Sequence, residues 1–322
     1  MPNIDGQLTV ASFFSGVGLL DYSLMNELKI IWANEVTPAA AESYRANVGD
    51  HIHVGDINQI VSADIPYADI YVGCPPCQDY SSIGNNEGEE GERGALIWTY
   101  FEHIKLNRPP VFLFENVIGI MRQHKVTFEK MLSMFKQSGY NVNWQIINAC
   151  HYDTAQDRLR VFVVGVRKDL GFTFRFPGEV LSISKTVYDA IGDLPPASGD
   201  IPNHLATWTS PSPERIKDVM MNPRKQFRGM RRLDWYRESP TLTAHIAKDG
   251  REFLHPSENR RLTVRECLRI MGTPDSYVFP DTVPLSHQYR AVGNGVAHNV
   301  GLALAKAIKE QLGQVTLQNS LF

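Results

Sequence analysis

Short apolar runs alternate with helical patterns along the first half of the chain. Leu8 to Phe14, Ile30 to Ala33, Asp69 to Val72, Val111 to Phe114 and Val161 to Val166 are rich in β-branched and aromatic residues and bounded by turn residues, which predicts five buried strands. Between them, Pro38 to Asn47, Gly94 to Leu106 and Thr127 to Ser138 carry apolar residues at helical spacing and predict amphipathic helices. Strand followed by helix, repeated, predicts an α/β fold with a doubly wound, mostly parallel sheet covered on both faces, its ligands at the carboxyl ends of the strands. After about Pro177 the texture changes. Pro195-Pro196, Ser198-Gly199, Pro202, Pro211, Pro213 and Pro223 punctuate a stretch with few long apolar runs, which predicts a second, smaller, loop-rich domain. Regular structure returns with a charged helix at Thr263 to Met271 and an Ala-rich helix at Val296 to Leu312, expected to pack back on the first domain. The resulting division is 1–178, 179–284 and 285–322.

Composition narrows the setting. With 43% hydrophobic and 21% charged residues the 322-residue chain has the balance of an ordinary soluble globular protein. It has no apolar run of about 18 residues, and Met1 to Val10 lacks a basic-then-apolar leader pattern, so no membrane span is expected and a cytoplasmic location is. Four cysteines are too few and too scattered for a disulfide framework, so a functional cysteine should be a thiol in a reducing compartment. The net charge of -3 conceals an asymmetry: residues 1–150 hold 9 Lys/Arg against 17 Asp/Glu, and residues 151–322 hold 23 against 18. Arg215 to Arg232 contains seven basic residues and one acid, which on charge alone reads first as a solvated face and second as a docking surface for a polyanion.

The chemistry-bearing residues sit at the predicted strand ends. Phe14-Ser15-Gly16-Val17-Gly18 leaves the first strand and enters a helix, so its backbone N–H groups can approach a ligand closely. Glu35 ends the next strand, where an acid can accept hydrogen bonds from ribose hydroxyls, and Asp56 follows the third element, within reach of an adenine amino group. The third glycine of a dinucleotide fingerprint and the Gly-Lys-Ser/Thr of a phosphate loop are both missing, which favours a nucleoside without a phosphate tail, such as S-adenosylmethionine. Cys74-Pro75-Pro76-Cys77-Gln78 leaves the Asp69 to Val72 strand; a zinc half-site, a redox pair and a thiolate nucleophile are the three readings of that spacing. Glu115 emerges from an otherwise apolar strand, where burial would raise its pKa and suit it to donate a proton. Arg158 and Arg160 are spaced to project from one side of a strand that begins early.

Taken in order, Phe14-Ser15-Gly16-Val17-Gly18, Pro76-Cys77-Gln78, Glu115-Asn116-Val117, Gln156-x-Arg158-x-Arg160, Arg261-Leu262-Thr263-x-x-Glu266-x-x-Arg269 and Gly293-Asn294-Gly295-Val296 resemble the DNA cytosine-5 methyltransferases of the bacterial and phage restriction-modification type. The resemblance runs from Ser12 to about Ala305, except between Pro177 and Ser239, where the family keeps its variable target-recognition region. It implies methyl transfer from S-adenosylmethionine to C5 of a cytosine flipped out of double-stranded DNA. Cys77 would attack C6, Glu115 would protonate N3, and Arg160 with Arg158 would position the base. Cofactor contacts are implied at Phe14, Gly16, Gly18, Glu35, Asp56, Leu96, Asn294 and Val296. DNA contacts are implied at Gln78, Ser81, Ser82, Arg215, Arg228, Arg231, Arg232, Thr241 and Thr243, with His204, Trp208 and Gln226 as further candidates for sequence choice. Val36 stands where many relatives carry an aromatic residue, which places more weight on Phe14. A cognate restriction endonuclease is a further implied partner, a monomer is expected, and no metal is. The alternatives are the related tRNA methyltransferases and a catalytically silent DNA-binding relative; a redox protein would require Cys74 to matter as much as Cys77.

Overall fold

The computed structural model describes residues 7–76, 95–180, 185–206, 212–221, 230–249 and 253–319. All five predicted strands are present: β1 (Thr9–Phe13), β2 (Lys29–Glu35), β4 (Ile70–Gly73), β5 (Val111–Val117) and β8 (Leu159–Arg167). Two more join them, β3 (Ile52–Val54) and β6 (Tyr140–Asn148), in a seven-stranded sheet of order β3-β2-β1-β4-β5-β8-β6, while the two-residue β7 (Gln156–Asp157) stands outside it. Strand β8 runs antiparallel to both its neighbours, β5 and β6, and the remaining pairings are parallel. Neither added strand is an apolar run: β3 has two exposed residues of three, and β6, at the sheet edge, is mostly half-buried and carries Asn141, Asn143 and Gln145.

Alternation along the strands builds two cores. Val10, Ile70, Val72, Val111, Leu113 and Val164 face one side, where they meet Leu20 and Leu24 of α1 (Leu19–Leu24) and Val300, Leu304 and Ile308 of the C-terminal helix (His298–Asn319). Ala11, Phe13, Tyr71, Phe112, Phe114 and Val163 face the other side. There they meet Ile97, Tyr100 and Ile104 of α3 (Leu96–Asn107), and Phe128, Met131 and Phe135 of Lys125–Gln137. The C-terminal helix can lie close against α1 because it presents Gly301: a Cβ there would stand 2.7 Å from the Ser23 Cβ. The helix α2 (Pro38–Asn47) begins with proline at its first turn, a position that needs no backbone N–H.

Beyond residue 185 the elements are short: the helices Val187–Ile191, Pro213–Met221, Ile246–Asp249, Val264–Ile270 and Leu285–Asn294, and two-residue strands at Arg231–Arg232, Ser239–Pro240 and Phe253–Leu254. A third apolar cluster joins Val187, Ile191, Leu242, Leu262, Leu268, Met271 and Tyr277 to Tyr289 and Val292, and it also takes in Val17 and Leu19 of the first half. Around it runs a charge network, buried at Arg260–Glu266 and open to solvent at Arg269, that accounts for Thr263, Glu266 and Arg269 of the motif. Thr263 and Glu266 form a capping box, and Glu266 takes the Arg260 guanidinium through both oxygens at 2.8 and 2.9 Å. Arg269 is held by Asp275 and Asp193. His204 belongs to the same framework: it is 1% exposed, with Nδ1 2.9 Å from the Thr263 hydroxyl and Nε2 2.8 Å from the Pro195 carbonyl. Its expected part in reading DNA gives way to this structural one, because both ring nitrogens are already engaged.

Candidate active site

Strand register gathers the chemistry. Phe13 pairs with Gly73, and Gly73 with Phe114, so Phe14 and Cys74, which leave the sheet, stand beside Glu115, which is still within β5 and paired with Phe162 of β8. From β8, Arg160 pairs with Val117. The chain turns one way to β2 and the other way to β5 at the β1/β4 junction, the switch point at which such sheets bind ligands. A cavity of ≈ 830 Å³ opens there.

One part of its wall is the loop after β1. Phe14 holds φ at 55° and Gly16 at 58°, left-handed values that cost little only for glycine. Strain at Phe14 is offset by the bonds around it: Ser15 N–H donates to the Asn34 carbonyl at 3.0 Å, and Gly18 N–H to the Ser15 carbonyl at 2.9 Å. A Cβ on Gly16 would meet no atom within 4 Å, so open cavity adjoins it. Glu35 closes the loop from β2, its Oε2 accepting from Gly16 N–H at 3.0 Å and its Oε1 from Thr37 N–H at 2.8 Å. Asp56 caps a short turn, accepting from the backbone and side chain of Asn58 at 3.0 Å each. Phe14, Gly16, Glu35, Asp56, Leu96, Asn294 and Val296 all line the cavity. Gly18 does not. It starts α1 with φ 81°, and a Cβ there would lie 2.8 Å from both Tyr44 and Val48, so it serves the packing of the loop on α2.

Another part carries the groups suited to proton transfer. Glu115 is 6% exposed, and its Oε1 lies 3.2 Å from Arg160 Nε. Burial pushes its pKa above the usual carboxylate range, while Arg160, then Arg158 and a hydrogen bond from Cys74, draw it back down. A buried acid that holds its proton more tightly than an ordinary carboxylic acid is suited to delivering it to a reacting group. Cys74 lines the cavity beside it. Asn116 donates through Nδ2 to the Pro75 carbonyl at 3.3 Å and so ties β5 to the segment that leads into Cys77. Cys77 itself lies outside the described residues. Cys150 and Cys267 are buried thiols elsewhere in the fold, their pKa values raised by burial.

Arg158 departs from expectation. It is 1% exposed and absent from the cavity wall, and its guanidinium donates to the carbonyls of Leu242, Gly293 and Gly295 at 2.8, 2.8 and 2.6 Å. It pins the start of β8 to two distant segments, and it is Arg160 that forms the ion pair with Glu115. Gly293 fits this junction because a Cβ there would fall 2.3–2.5 Å from the Thr243–Ala244 backbone. Arg158→Met should therefore lower the unfolding free energy by about 3 kcal/mol or more, since three carbonyls lose a charged donor. Urea unfolding measures it, and a loss under about 1 kcal/mol would contradict the tie.

The expected DNA contacts divide. Arg232 donates to the His255 and Glu258 carbonyls at 2.7 and 2.8 Å and to Asn259, and Arg231 stacks 4.9 Å from the Phe253 ring centre. Both are engaged within the protein. Thr241 Oγ1 donates to the Asp157 carbonyl at 2.7 Å, fixing the pairing of Ser239–Pro240 with Gln156–Asp157. Arg215 is exposed on the Pro213–Met221 helix, and Thr243 is half-buried beside Gly293. Gln78, Ser81, Ser82, Trp208, Gln226 and Arg228 lie outside the described residues.

A family model for C-5 cytosine-specific DNA methylase matches residues 8–310. The chain belongs to that family. Among its relatives, the Type II methyltransferase M.MthTI of Methanothermobacter thermautotrophicus is 34% identical over 328 residues, covering 95% of this chain and 98% of that protein. M.FnuDI of Fusobacterium nucleatum is 33% identical over 329 residues, covering 95% of each. The crystal structure of the DNMT2 of Spodoptera frugiperda superposes with a TM-score of 0.72 at 16% identity, over 94% of this methylase and 99% of that chain, which shows the shared fold. The methylase cavity also contains polar residues that motif reading passed over, Ser12 and Asp21. Asp21 could have been found as the lone acid in the apolar helix start Leu19-Leu20-Asp21.

Proposed function

We propose that this methylase carries a methyl group from S-adenosylmethionine to C5 of a cytosine flipped out of a DNA duplex, through a covalent bond between Cys77 and C6. The observation that carries the reading is the Glu115–Arg160 pair, buried at the wall of the same cavity that Phe14, Gly16 and Glu35 line. The residues suit the cofactor: open space at Gly16, an aromatic face at Phe14, acids at Glu35 and Asp56 for ribose and adenine, and Leu96, Asn294 and Val296 around them. Bound there, S-adenosylmethionine supplies an electrophilic methyl group.

Cytosine C5 is a poor nucleophile. Addition of the Cys77 thiolate to C6 pushes electron density through the ring, and Glu115 gives N3 the proton that keeps this charge from building up. Arg160 holds Glu115 and the base edge. C5 then takes the methyl group, its hydrogen leaves as a proton to solvent, the Cys77 thiolate is expelled from C6, and N3 returns its proton to Glu115, which restores both the aromatic ring and the acid. C6 is shielded inside the base stack, so the base must be extruded, and Gln78, Ser81 and Ser82 are assigned as contacts to the DNA. Residues 179–284 are assigned to target recognition, with Arg215, Arg228 and Thr243 as candidate contacts to DNA. A cognate restriction endonuclease acting on the same site, a monomeric state and a cytoplasmic location complete the proposal. Among the described residues, no helix is long and apolar enough to cross a membrane.

Single-base methylation sequencing of DNA from a methylation-free host expressing the protein tests it. One short motif methylated at cytosine C5, absent with Cys77→Ser, is the expected result. Unmodified DNA alongside folded protein that binds S-adenosylmethionine would overturn DNA as the substrate and direct the same assay to tRNA.

A further inference from the structure

Arg231 and Arg232 are held within the protein, yet a duplex that gives up a base to the cavity must still be gripped at its phosphates. A second basic surface stands at the cavity rim, on the half of the chain that is acidic overall. Residues 1–150 hold 9 Lys/Arg against 17 Asp/Glu, and four of those nine, Arg122, Lys125, Lys130 and Lys136, fall between Ile118 and Gln137, where Glu129 is the one acid. The fold places them. β5 carries Glu115 to the cavity and ends at Val117, which lines it; a single helical turn, Gly119–Arg122, then brings the chain to the helix Lys125–Gln137. Arg122 and Lys125 therefore stand at the carboxyl edge of the sheet, five and eight residues beyond the cavity wall. Both are exposed. Arg122 has no ion pair among the described residues, and Lys125 meets Glu129 at 3.6 Å with both side chains more than half open to solvent, a pairing worth little. Lys130 is drawn aside, its Nζ 4.7 Å from the ring centre of Trp98 on the first turn of α3. Local helix stability does not account for Lys125, because a cation in the first turn opposes the helix dipole and this turn holds no acid. Lys136 sits in the last turn, where the dipole favours it.

A base that reaches Glu115 brings its own backbone to the rim of the cavity. The geometry points to Arg122 and Lys125 as the residues that bind the phosphates flanking the flipped cytosine, a sequence-independent grip of the catalytic half on duplex DNA. The Arg122 guanidinium can take one phosphate through two parallel N–H groups, and Lys125 adds a point charge beside it. The inference rests on the DNA reading above.

Duplex binding across a salt series tests it, with one duplex that carries the motif found by methylation sequencing and one of equal length that lacks it. The double variant Arg122→Gln, Lys125→Gln should weaken both duplexes about tenfold or more at about 0.1 M salt and reduce the slope of log K against log salt by about 1 to 2. Both side chains are exposed, so its melting temperature should not move and S-adenosylhomocysteine should bind within about twofold of the parent. Exchanging the two cations for each other, Arg122→Lys with Lys125→Arg, keeps both charges and should keep the slope. Lys136→Gln removes the same charge from the far end of the helix, about 16 Å from Lys125, and should leave affinity and slope as they are. An unchanged slope in the double glutamine variant, an equal loss in Lys136→Gln, or a loss confined to the duplex with the motif overturns the grip. If the unaltered protein binds neither duplex, the DNA reading falls with it, an outcome distinct from normal duplex binding that ignores Arg122 and Lys125.

Discussion

Exchanging Cys77 for serine is expected to cut methyl transfer by more than about 1,000-fold while leaving S-adenosylhomocysteine and duplex binding within about twofold. A thiol near neutral pH is a few per cent thiolate and strongly nucleophilic, whereas a serine hydroxyl needs a general base that this role does not provide. Volume hardly changes, so binding should survive. The local frame favours Cys77 over Cys74: Cys74 donates its thiol proton to Glu115 beside the cavity, and Asn116 fixes the Pro75 carbonyl just before Cys77. Cys74→Ser keeps a donor toward Glu115 and should cost no more than about tenfold. Single-turnover transfer from labelled S-adenosylmethionine to duplex DNA measures both. Equal losses in the two variants would revive the redox-pair reading of Cys74 and Cys77.

Glu115→Gln should lower kcat by about 100- to 1,000-fold, because glutamine keeps the shape and the contact with Arg160 but has no proton to give N3. The pH dependence carries the sharper test. Burial raises the Glu115 pKa above the carboxylate norm, so the acid is more protonated in the folded protein than in the unfolded chain. Its contribution to folding stability is full below the unfolded value of 4.5 and is lost as pH rises through the folded value. Activity that needs the protonated acid should decline over the same rising limb. That limb should be absent from the residual rate of Glu115→Gln, and its persistence would assign the proton to another group.

Much of this protein was legible from local pattern. Alternation along β1, β4 and β5 marks both cores, and α2 begins at Pro38 because a proline there forfeits no bond. The residues with acid, thiol or acceptor chemistry also stand out, since an acid or a pair of glycines at the end of an apolar strand has few purely structural uses. The edge strand β6 was not legible, because a strand covered unevenly keeps polar residues that blur its period. Nor was the Leu285–Asn294 helix: Gly293-Asn294-Gly295 reads as a turn, yet Gly293 and Asn294 end a helix, with glycine required by the Thr243–Ala244 backbone pressed against it.

What the sequence determined by itself was the set of elements and the kinds of chemistry at their ends, because periodicity and side-chain type act over a few residues. Which groups meet was decided by the tertiary structure. Arg158 and Arg160 have the same local claim to the site, but Arg158 is taken by carbonyls 84, 135 and 137 residues away, while strand register delivers Arg160 to Glu115. His204 and Arg232 were drawn from the DNA-reading candidates into the framework in the same way, by carbonyl and hydroxyl partners brought close only when the chain folds. The reason is that a buried polar group must find a partner, and proximity in space, set by sheet register and close packing, chooses which one.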